Sequence, residues 1–455
     1  MLRIKFEFVP LTPRRAFHMG EAHISHERSS YFTNSEGIYF TYHNMEDIFM
    51  SYKPVKVALI GSGNISYTYL NTLTSGFNII DFVGCSDLIP EKSKARSELF
   101  GVRQMTTEEI LNDPEIEIVI NTTEIHNHSK VTRMILEAGK NAYSEKSFGT
   151  TYAEAKANAD FAASKGLRIG SAPDIYLGAA YQTARKLIDD GFIGDPVTAQ
   201  AWCIRGYGAN GRPAAPAAEN PAGRPGTTIP FDMGGYYVNV LVGLLGSINR
   251  AAGFAHVYPH HNYVNTKNPC FGEPIKTQGG SSTIMAALEF ENGTYGNLVM
   301  SADGFNPEIP RVEIFGTKGT LTLPDPNCFG GYGLDVYLTR TGNEGRFRVP
   351  FTHAFGDTDP AIPPKSGKRE PCHNSWRGIA VVDMAYAIRQ GRPHRSSAEL
   401  ALTTVELFDY LEYGMEENKF HTMISRPGRP APLPDGLFGD INVMEAALAS
   451  YPCDK

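Results

Sequence analysis

Three apolar runs separated by helical patterns mark the first half of the chain. The runs at 56–60, 79–85 and 116–121 each have the length and near-continuous hydrophobicity of a buried strand. After the third run, apolar residues recur from Val131 at i, i+3, i+4 and i+7, as on one face of a helix. Strands that alternate with helices predict a parallel sheet with crossover helices, and this pattern continues to about residue 172.

The second half of the chain has a different pattern. Its predicted strands are longer and alternate apolar with polar positions, and Asn292-Gly293 is typical of a hairpin turn. This predicts a mostly antiparallel sheet with one face covered by helices. Two late helices, near 378–389 and 398–413, are predicted to return toward the core. Residues 206–228 are rich in Gly, Ala and Pro and cannot continue a strand, so they are a candidate for a functional lid.

A glycine turn follows the first strand directly. Gly61 and Gly63 lie in the segment Gly-Ser-Gly-Asn-Ile-Ser, which Asn64 and Ile65 complete before a helical pattern begins. Such a turn binds a dinucleotide pyrophosphate, because the first glycine allows the turn and the second lets phosphate oxygens approach the backbone at a helix N-terminus. Ser66 stands where the third glycine of the fingerprint is usual, and a glycine pair alone is weak evidence.

Asp87 strengthens the case for a dinucleotide. It ends the second strand, 26 residues after Gly61, where the fold places a carboxylate that accepts hydrogen bonds from the adenosine ribose. The plainer alternative is a cap for the helix starting near Pro90. The next basic residue is Lys92, so nothing adjacent would stabilise a 2′-phosphate, and we expect NAD rather than NADP.

Composition and charge argue against several classes of function. The 455 residues carry a net charge of −7, which disfavours nucleic acid or an anionic membrane as the main partner. No run of roughly 18 apolar residues occurs, so no membrane span is expected. The six cysteines are scattered without a Cys-x-x-Cys pair, as in reduced, cytoplasmic proteins. His126, His128 and the pair at 260–261 match no zinc spacing, so we expect no metal.

Several ordered stretches are far more specific than the glycine turn alone. In chain order they are VALIGSGNIS, INTTEIHNHSKV, YSEKSFGTTYAEA, LIDDGFIGDPV, PFDMGGYYVNVLVGLLG and AYAIRQGRPHRSS. Over about residues 55–420 the chain thereby resembles the family of glucose-fructose oxidoreductase, inositol dehydrogenase and MocA. The resemblance implies an α/β N-terminal Rossmann domain with a parallel sheet, and an α+β C-terminal domain with a large, open, mainly antiparallel sheet. It also leads us to expect a homo-oligomer, a dimer or tetramer formed through the C-terminal sheet.

The resemblance assigns roles to residues near the third and fourth strands. Lys146 matches the lysine of the family's Glu-Lys-Pro motif, which lies at the substrate and the nicotinamide and orients the reacting hydroxyl. Glu145 precedes it as in the family, whereas Ser147 replaces the usual proline, whose preceding peptide bond tends to be cis. His128 matches the family histidine near the cofactor, and Thr123 lies in the same stretch. We therefore include Thr123, His128, Glu145 and Lys146 among the candidate cofactor residues.

Asp232 and Tyr236 supply the other half of the candidate site. They are spaced i, i+4, so on a helix they share a face and can meet one substrate. Family members similar to glucose-fructose oxidoreductase and dihydrodiol dehydrogenase also have tyrosine at the second position, which this chain resembles. Each residue also has a plain structural interpretation, with Asp232 as an N-cap, Tyr236 as a core aromatic and Lys146 as a solvated surface lysine.

Together these residues predict a site that oxidises a secondary alcohol. Lys146 would orient the hydroxyl and, as a nearby ammonium, favour the phenolate of Tyr236, whose unperturbed pKa is about 10. Tyr236 would accept and return the proton, and Asp232 would accept a hydrogen bond from the substrate. The sequence thus predicts an NAD-dependent dehydrogenase acting on CH–OH groups of a sugar, glycoside or cyclitol, with a small polyol as its partner.

Two alternatives stay open. An NAD-dependent glycoside hydrolase of the same fold would oxidise its sugar transiently, so its cofactor would show no net turnover. A non-catalytic dinucleotide-binding sensor would keep the glycine turn and Asp87 but would not need Lys146, Asp232 and Tyr236 together.

We divide the chain into four parts. Residues 1–49 show no period and are expected to form a flexible N-terminal extension. Residues 50–172 are assigned to the NAD-binding Rossmann domain, and 173–425 to the domain for substrate binding and oligomerisation. Residues 426–455 form a proline-rich tail that we expect to follow the surface.

Overall fold

The computed structural model describes most of the chain with its side chains. These residues are 52–204, 228–256, 281–304 and 312–452, apart from 344, 369, 371, 417 and 418. In the amino-terminal extension it describes only the backbone of β1 (Tyr31–Thr33) and β2 (Tyr39–Thr41), which pair antiparallel. The expected lid at 206–228 lies outside the described residues except for Thr228, and the expected flexibility of 1–49 concerns residues that are mostly outside them.

A six-stranded parallel sheet with helices between its strands forms the first layer, as the apolar runs predict. Its elements are β3 (Val55–Ile60), α1 (Ser66–Leu73), β4 (Ile80–Ser86), α2 (Pro90–Phe100), β5 (Arg103–Gln104), α3 (Thr107–Asn112), β6 (Ile116–Asn121), α4 (His128–Glu137), β7 (Asn141–Ser144), α5 (Tyr152–Ser164) and β8 (Ile169–Ser171). The strand order is β5-β4-β3-β6-β7-β8. The register aligns Ile60, Asn121, Ser144 and Ser171, so four strands end at one edge of the sheet.

A nine-stranded sheet with helices on its inner face forms the second layer. Its elements, with one separate strand pair, are α6 (Ala179–Asp189), β9 (Pro196–Ile204), α7 (Ile229–Leu245), β10 (Ile248–His256), β11 (His260–His261), β12 (Pro274–Ile275), β13 (Thr283–Phe290), β14 (Tyr295–Ser301), β15 (Val312–Gly316), β16 (Gly319–Leu323), β17 (Val336–Arg340), β18 (Phe347–Val349) and β19 (His421–Thr422). The order is β18-β17-β16-β15-β9-β14-β13-β10-β19. Only β9 and β14 pair parallel, so the prediction of a mainly antiparallel sheet is confirmed.

The alternating pattern of this sheet decides which face the helices cover. Along β13, Ile284, Ala286 and Leu288 are buried, while Met285 between them is exposed. Since side chains alternate along a strand, the buried set lies against α7, and the exposed set forms the opposite face. Among the described residues, no helix packs against that outer face near Met285.

Three late helices join the two layers: α8 (Ile379–Gln390), α9 (Ala398–Asp409) and α10 (Ile441–Ala449). Helix α8 packs on α1 and β8, and α9 packs on α5 and α7. One apolar core therefore runs from the strands of the first sheet to the inner face of the second.

The carboxyl-terminal tail does more than follow the surface. The side chain of Glu445, on α10, is buried and accepts backbone hydrogen bonds from Asn78 at 2.9 Å and Ile79 at 3.0 Å. It also accepts a hydrogen bond from the Tyr386 hydroxyl at 2.8 Å. The tail thereby anchors the start of β4 to α8, which the proline content of its sequence did not indicate.

Candidate active site

The turn between β3 and α1 leaves room for an anion at the helix N-terminus. Gly61 has φ +103°, and a Cβ there would lie 2.6 Å from the carbonyl carbon of Thr122, so only glycine fits. A Cβ on Gly63 would meet nothing within 4 Å, so the space beside this residue is open. The Ser66 hydroxyl donates to the Gly63 carbonyl at 2.6 Å, and this serine begins α1. These residues fit a dinucleotide pyrophosphate.

Asp87 lies against the glycine turn. Its Oδ2 accepts a hydrogen bond from the Ser62 backbone N–H at 2.7 Å, and its Oδ1 accepts one from the Ile89 N–H at 2.8 Å. The N-cap of α2 is Ile89, so the alternative role of Asp87 as that cap is not observed. Each carboxylate oxygen keeps a lone pair after these bonds, and Asp87 can still accept hydrogen bonds from ribose hydroxyls.

Arg96, on α2, is a cation at this turn that sequence spacing did not reveal. Its guanidinium donates to the Ser66 hydroxyl at 3.2 Å and to the Gly63 carbonyl at 3.3 Å. The same group holds the Glu370 carboxylate at 3.1 and 3.3 Å, and both side chains are largely buried. A basic side chain therefore does lie near the turn, although its charge is paired.

His128 is buried between the ends of β6 and β7. Its Nδ1 lies 2.8 Å from the Ser147 carbonyl oxygen, and its Nε2 lies 3.1 Å from that of Thr123. Burial lowers the pKa of the imidazole, outweighing the two carbonyls that raise it. The histidine thus links the loops that follow two neighbouring strands, with Thr123 partly exposed at their edge.

Lys146 and Asp232 form an ion pair between the two layers. Lys146 follows β7, where the Lys146–Ser147 peptide bond is cis, and Asp232 lies in the first turn of α7. The lysine side chain is 22% exposed and its partner 55%, so Lys146 is not a solvated surface residue. Burial by itself lowers the lysine pKa, but Asp232, with Tyr236 and Glu145, raises it above its usual value. The ammonium is therefore charged at neutral pH.

Glu145 is held behind this lysine. Its buried carboxylate accepts hydrogen bonds from the Tyr69 hydroxyl at 2.8 Å and from the Lys146 backbone N–H at 3.1 Å. Both oxygens are thus engaged by the protein, and the contact with Lys146 fixes the backbone that carries the ammonium.

Tyr236 lies one turn after Asp232 on α7. Its side chain is 4% exposed, and the Lys146 Nζ lies 6.0 Å from its ring centroid. Burial raises the pKa of the phenol, while Arg377 and Lys146 oppose that rise without reversing it. The lysine acts in the direction expected from the sequence, but burial is the larger effect, so the net pKa lies above its ordinary value.

Arg377 is the candidate that sequence reasoning missed. Its guanidinium donates to the Tyr236 hydroxyl and lies 4.9 Å from the ring centroid, and the residue is 3% exposed. A lone arginine ahead of a helix matches no motif, and 141 positions separate it from Tyr236. Only the folded chain brings the two together.

Two classes of feature are missing from the part of the chain that the structure describes. In those residues, no group of three or more His, Cys, Asp or Glu side chains is placed to hold a metal ion. No helix there is long and apolar enough to cross a membrane. The side chains of the histidine pair at 260–261 are outside the described set.

Two family models match the chain in the order of its domains. Residues 55–172 match the oxidoreductase family with an NAD-binding Rossmann fold, and residues 181–322 match the GFO/IDH/MocA C-terminal domain. The chain is 24% identical to scyllo-inositol 2-dehydrogenase (NAD(+)) of Bacillus subtilis, over 59% of this chain and 73% of that protein. It is 30% identical to an uncharacterized oxidoreductase of Schizosaccharomyces pombe, over 43% of this chain and 53% of that protein. The matches span about half the length of most of these curated relatives.

Solved structures share the fold at low sequence identity. A levoglucosan dehydrogenase in complex with NADH and levoglucosan has a TM-score of 0.65 and 18% identity, covering 81% of this chain and 99% of that one. An NAD-binding oxidoreductase from Klebsiella pneumoniae has a TM-score of 0.64 and 19% identity, covering 82% and 99%. With both of its domains matched in order, the chain belongs to the Gfo/Idh/MocA family of oxidoreductases, and its first domain is an NAD-binding Rossmann domain.

Proposed function

We propose that the protein is a dehydrogenase that transfers hydride between NAD(H) and a secondary hydroxyl or carbonyl of a sugar, glycoside or cyclitol. The observation that carries the proposal is the convergence of Lys146, Asp232 and Tyr236 beside the edge where the parallel strands end. In open parallel sheets this edge binds the ligand. The glycine turn lies at the end of β3 on the same edge, so a dinucleotide held there would extend toward the three side chains.

Each of the three side chains has a distinct role in this proposal. When bound, the nicotinamide supplies the acceptor or donor of the hydride. Lys146, held in the charged form by Asp232, donates a hydrogen bond to the substrate oxygen and orients it. Tyr236 takes the hydroxyl proton during oxidation and returns it during reduction. Asp232, more than half exposed, has oxygen lone pairs left to accept a hydrogen bond from a second substrate hydroxyl.

For the cofactor, we assign the pyrophosphate to the turn formed by Gly61, Gly63, Asn64 and Ile65. We assign the adenosine ribose to Asp87. The Ser62 and Ile89 amides hold the Asp87 carboxylate beside the glycine turn, which supports this role. A 2′-phosphate there would be repelled by the carboxylate. We therefore propose NAD over NADP. Thr123, His128 and Glu145 border the nicotinamide half by holding the loops after β6 and β7.

Hydroxyl-bearing ligands suit a site built from an ammonium, a carboxylate and a phenol. Relatives in the family include proteins named for inositol and levoglucosan oxidation, which supports the choice of polyols. Four of the cysteines are free thiols in the structure, in keeping with a reducing, cytoplasmic setting. The test is a panel of scyllo-inositol, levoglucosan and D-glucose with NAD⁺, following NADH absorbance and product mass together. Net NADH with an oxidised product supports the dehydrogenase, whereas aglycone release from a glycoside without net NADH indicates the hydrolase.

We also propose that the chain forms a dimer or tetramer through the outer face of the nine-stranded sheet. Phe254, Met285 and Val299 lie side by side on three neighbouring strands of that face. The first of them is 80% exposed and the second 53%. An apolar row of this kind on an open sheet is typical of an interface. Light scattering of the wild type and of Phe254→Lys checks it, with a smaller mass expected for the variant.

A further inference from the structure

We propose that Arg377 is the positioning residue for Tyr236, holding the phenol oxygen toward the substrate and stabilising its anionic form. The inference rests on the proposed function, because it takes Tyr236 as the proton carrier. One Nη of the guanidinium donates to the Tyr236 hydroxyl oxygen, and the Arg377 Cζ lies 4.9 Å from the ring centroid. A phenol oxygen that accepts this bond keeps its own O–H and a second lone pair. The contact therefore fixes the oxygen without engaging the proton that the reaction moves.

The guanidinium is itself held at its other end. Its second Nη donates to the Asn327 carbonyl oxygen at 2.9 Å and to the Asn327 Oδ1 at 2.6 Å. The Nε has no hydrogen-bond partner among the described residues. A planar group with one end fixed to a loop and the other on the phenol restricts the motion of the Tyr236 ring.

The backbone on both sides of Arg377 is anchored to other elements. The Asp174 Oδ2 accepts hydrogen bonds from the Gly378 N–H at 2.7 Å and the Ala380 N–H at 3.2 Å, at the start of α8. The Trp376 indole N–H donates to the Gly356 carbonyl at 2.8 Å. Arg377 thus keeps a fixed position relative to α7, on which Tyr236 lies.

Charged and titratable groups from several elements surround the phenol. Arg377 and Lys146 favour the phenolate, whereas burial opposes it. Of the two cations, the Arg377 Cζ is nearer to the ring centroid, at 4.9 Å compared with 6.0 Å for the Lys146 Nζ. Among the described residues these groups include Glu145 and Lys146 after β7, Cys372 in the loop before α8, and Arg377 itself. Asp232, the partner of Lys146, lies one turn earlier on α7.

The bond from Arg377 to the phenol bears on the proton transfer of the proposed reaction. During oxidation the substrate O–H bond would break, with its proton passing to the Tyr236 oxygen and its electron pair forming the C=O bond. The C–H hydrogen would leave with its electron pair as hydride, for which a bound NAD⁺ would be the acceptor. The oxygen must carry negative charge before it can accept that proton. A guanidinium bonded to it lowers the free energy of the charged form, since an opposite charge at hydrogen-bond distance favours ionisation.

The first test titrates Tyr236 itself and needs no substrate. Protein labelled with [¹³Cζ]-tyrosine is titrated by NMR, and the Tyr236 resonance is assigned by its loss in Tyr236→Phe. In Arg377→Met, which removes the charge, we expect the phenol pKa to rise by about one unit or more. Arg377→Lys keeps the charge without the fork, so a smaller rise is expected. The matched control is Arg389→Met, on α8 and bonded to Glu117, which should leave the Tyr236 titration unchanged.

The second test asks whether Arg377 acts through Tyr236. With NAD⁺ and the best substrate of scyllo-inositol, levoglucosan and D-glucose, Arg377→Met should lower kcat at least about tenfold, the equivalent of one pKa unit, with little change in KM, and Arg377→Lys should lower it less. In the Tyr236→Phe background the same change should cause no further loss, because its route of action is already absent.

An unchanged Tyr236 titration in both arginine variants would overturn the inference, and so would equal losses of kcat in the two backgrounds. If Arg377→Met does not fold, Arg377→Lys alone decides. A wild-type rate in Tyr236→Phe is a separate result. It would show that Tyr236 is not the proton carrier assumed in the proposed function. Arg377 would then have no role in catalysis, even if the titration showed that it shifts the pKa of the phenol.

Discussion

Lys146, just after a strand of the parallel sheet, forms an ion pair with Asp232, in the first turn of a helix from the other domain. The pair joins side chains 86 positions apart and sets the charge state of the lysine. Because the lysine remains an ammonium at neutral pH, its role in the proposed reaction is to orient and to stabilise charge. In the proposed reaction the proton is carried by Tyr236, the buried phenol beside it.

Replacing that phenol is the most direct check. Tyr236→Phe keeps the ring and its packing but removes the titrating hydroxyl, so turnover should fall by about 10²–10⁴-fold, the usual range for general acid–base catalysis. Binding of NAD should change little, whereas the thermal midpoint should fall because the buried Arg377 guanidinium loses an acceptor. The matched control is Tyr237→Phe, one position on, whose hydroxyl donates to Asp325 at 3.0 Å. It should keep the turnover of the wild type. A wild-type rate in Tyr236→Phe would contradict the assignment.

The lysine should be at least as sensitive as the tyrosine. Lys146→Ala loses both the group that orients the substrate and a charge that favours the phenolate, so its kcat should be no higher than that of Tyr236→Phe. Lys146→Arg should restore little, because a planar fork does not replace a compact ammonium. Lys156→Ala, which removes an exposed lysine paired with Asp160 on α5, is the control and should be neutral. Steady-state kinetics of the three variants decide the point.

Cofactor choice depends on the groups around the glycine turn. We expect NAD(H) to bind at least tenfold more tightly than NADP(H), a difference of about 1.4 kcal/mol, because Asp87 repels a 2′-phosphate. Glu370→Gln should narrow this preference, since it leaves the Arg96 guanidinium without its anionic partner beside the turn. Calorimetric titration of both proteins with both cofactors measures the effect. Equal affinities in the wild type would remove the role given to Asp87.

The stability of the fold should depend on the ionisation of Asp174. Burial raises the pKa of this carboxyl to about 6 in the folded protein, although the amides of Gly378 and Ala380 oppose the rise. Between about pH 4 and pH 6 the unfolded chain releases this proton while the folded chain keeps it, so the contribution of Asp174 to stability falls as pH rises. The fall should reach up to about 3 kcal/mol by pH 7.

Asp174→Asn tests this sign, because an amide does not titrate but can still accept the two backbone hydrogen bonds. Urea unfolding of wild type and variant from pH 4 to pH 7 gives the difference in the free energy of unfolding. That difference should shift in favour of the variant as pH rises. Two curves that stay parallel over this range would contradict the prediction.

The sequence by itself determined the local elements and the family. The apolar runs predicted the parallel strands, because a strand buried on both faces is apolar along its whole length. Alternation of apolar and polar residues predicted the antiparallel sheet, because such strands are buried on one face only. The glycine turn, with Gly61 at a backbone angle that only glycine adopts readily, was likewise a local property. The resemblance to the family indicates Lys146, Asp232 and Tyr236 from the sequence alone, because the family's motifs hold these residue types at fixed spacing.

Only the tertiary structure decided what surrounds those residues. Arg377 reaches Tyr236 from 141 positions away, Glu370 neutralises Arg96 across 274, and Glu445 anchors β4 from the far end of the chain. None of these residues belongs to a motif, so their chemistry depends on which partner the fold supplies. The pKa of Tyr236 likewise depends on the tertiary structure. Burial in the assembled core raises it more than the two nearby cations, Arg377 and Lys146, lower it. Desolvation depends on everything packed around a group, and that is a property of the folded chain alone.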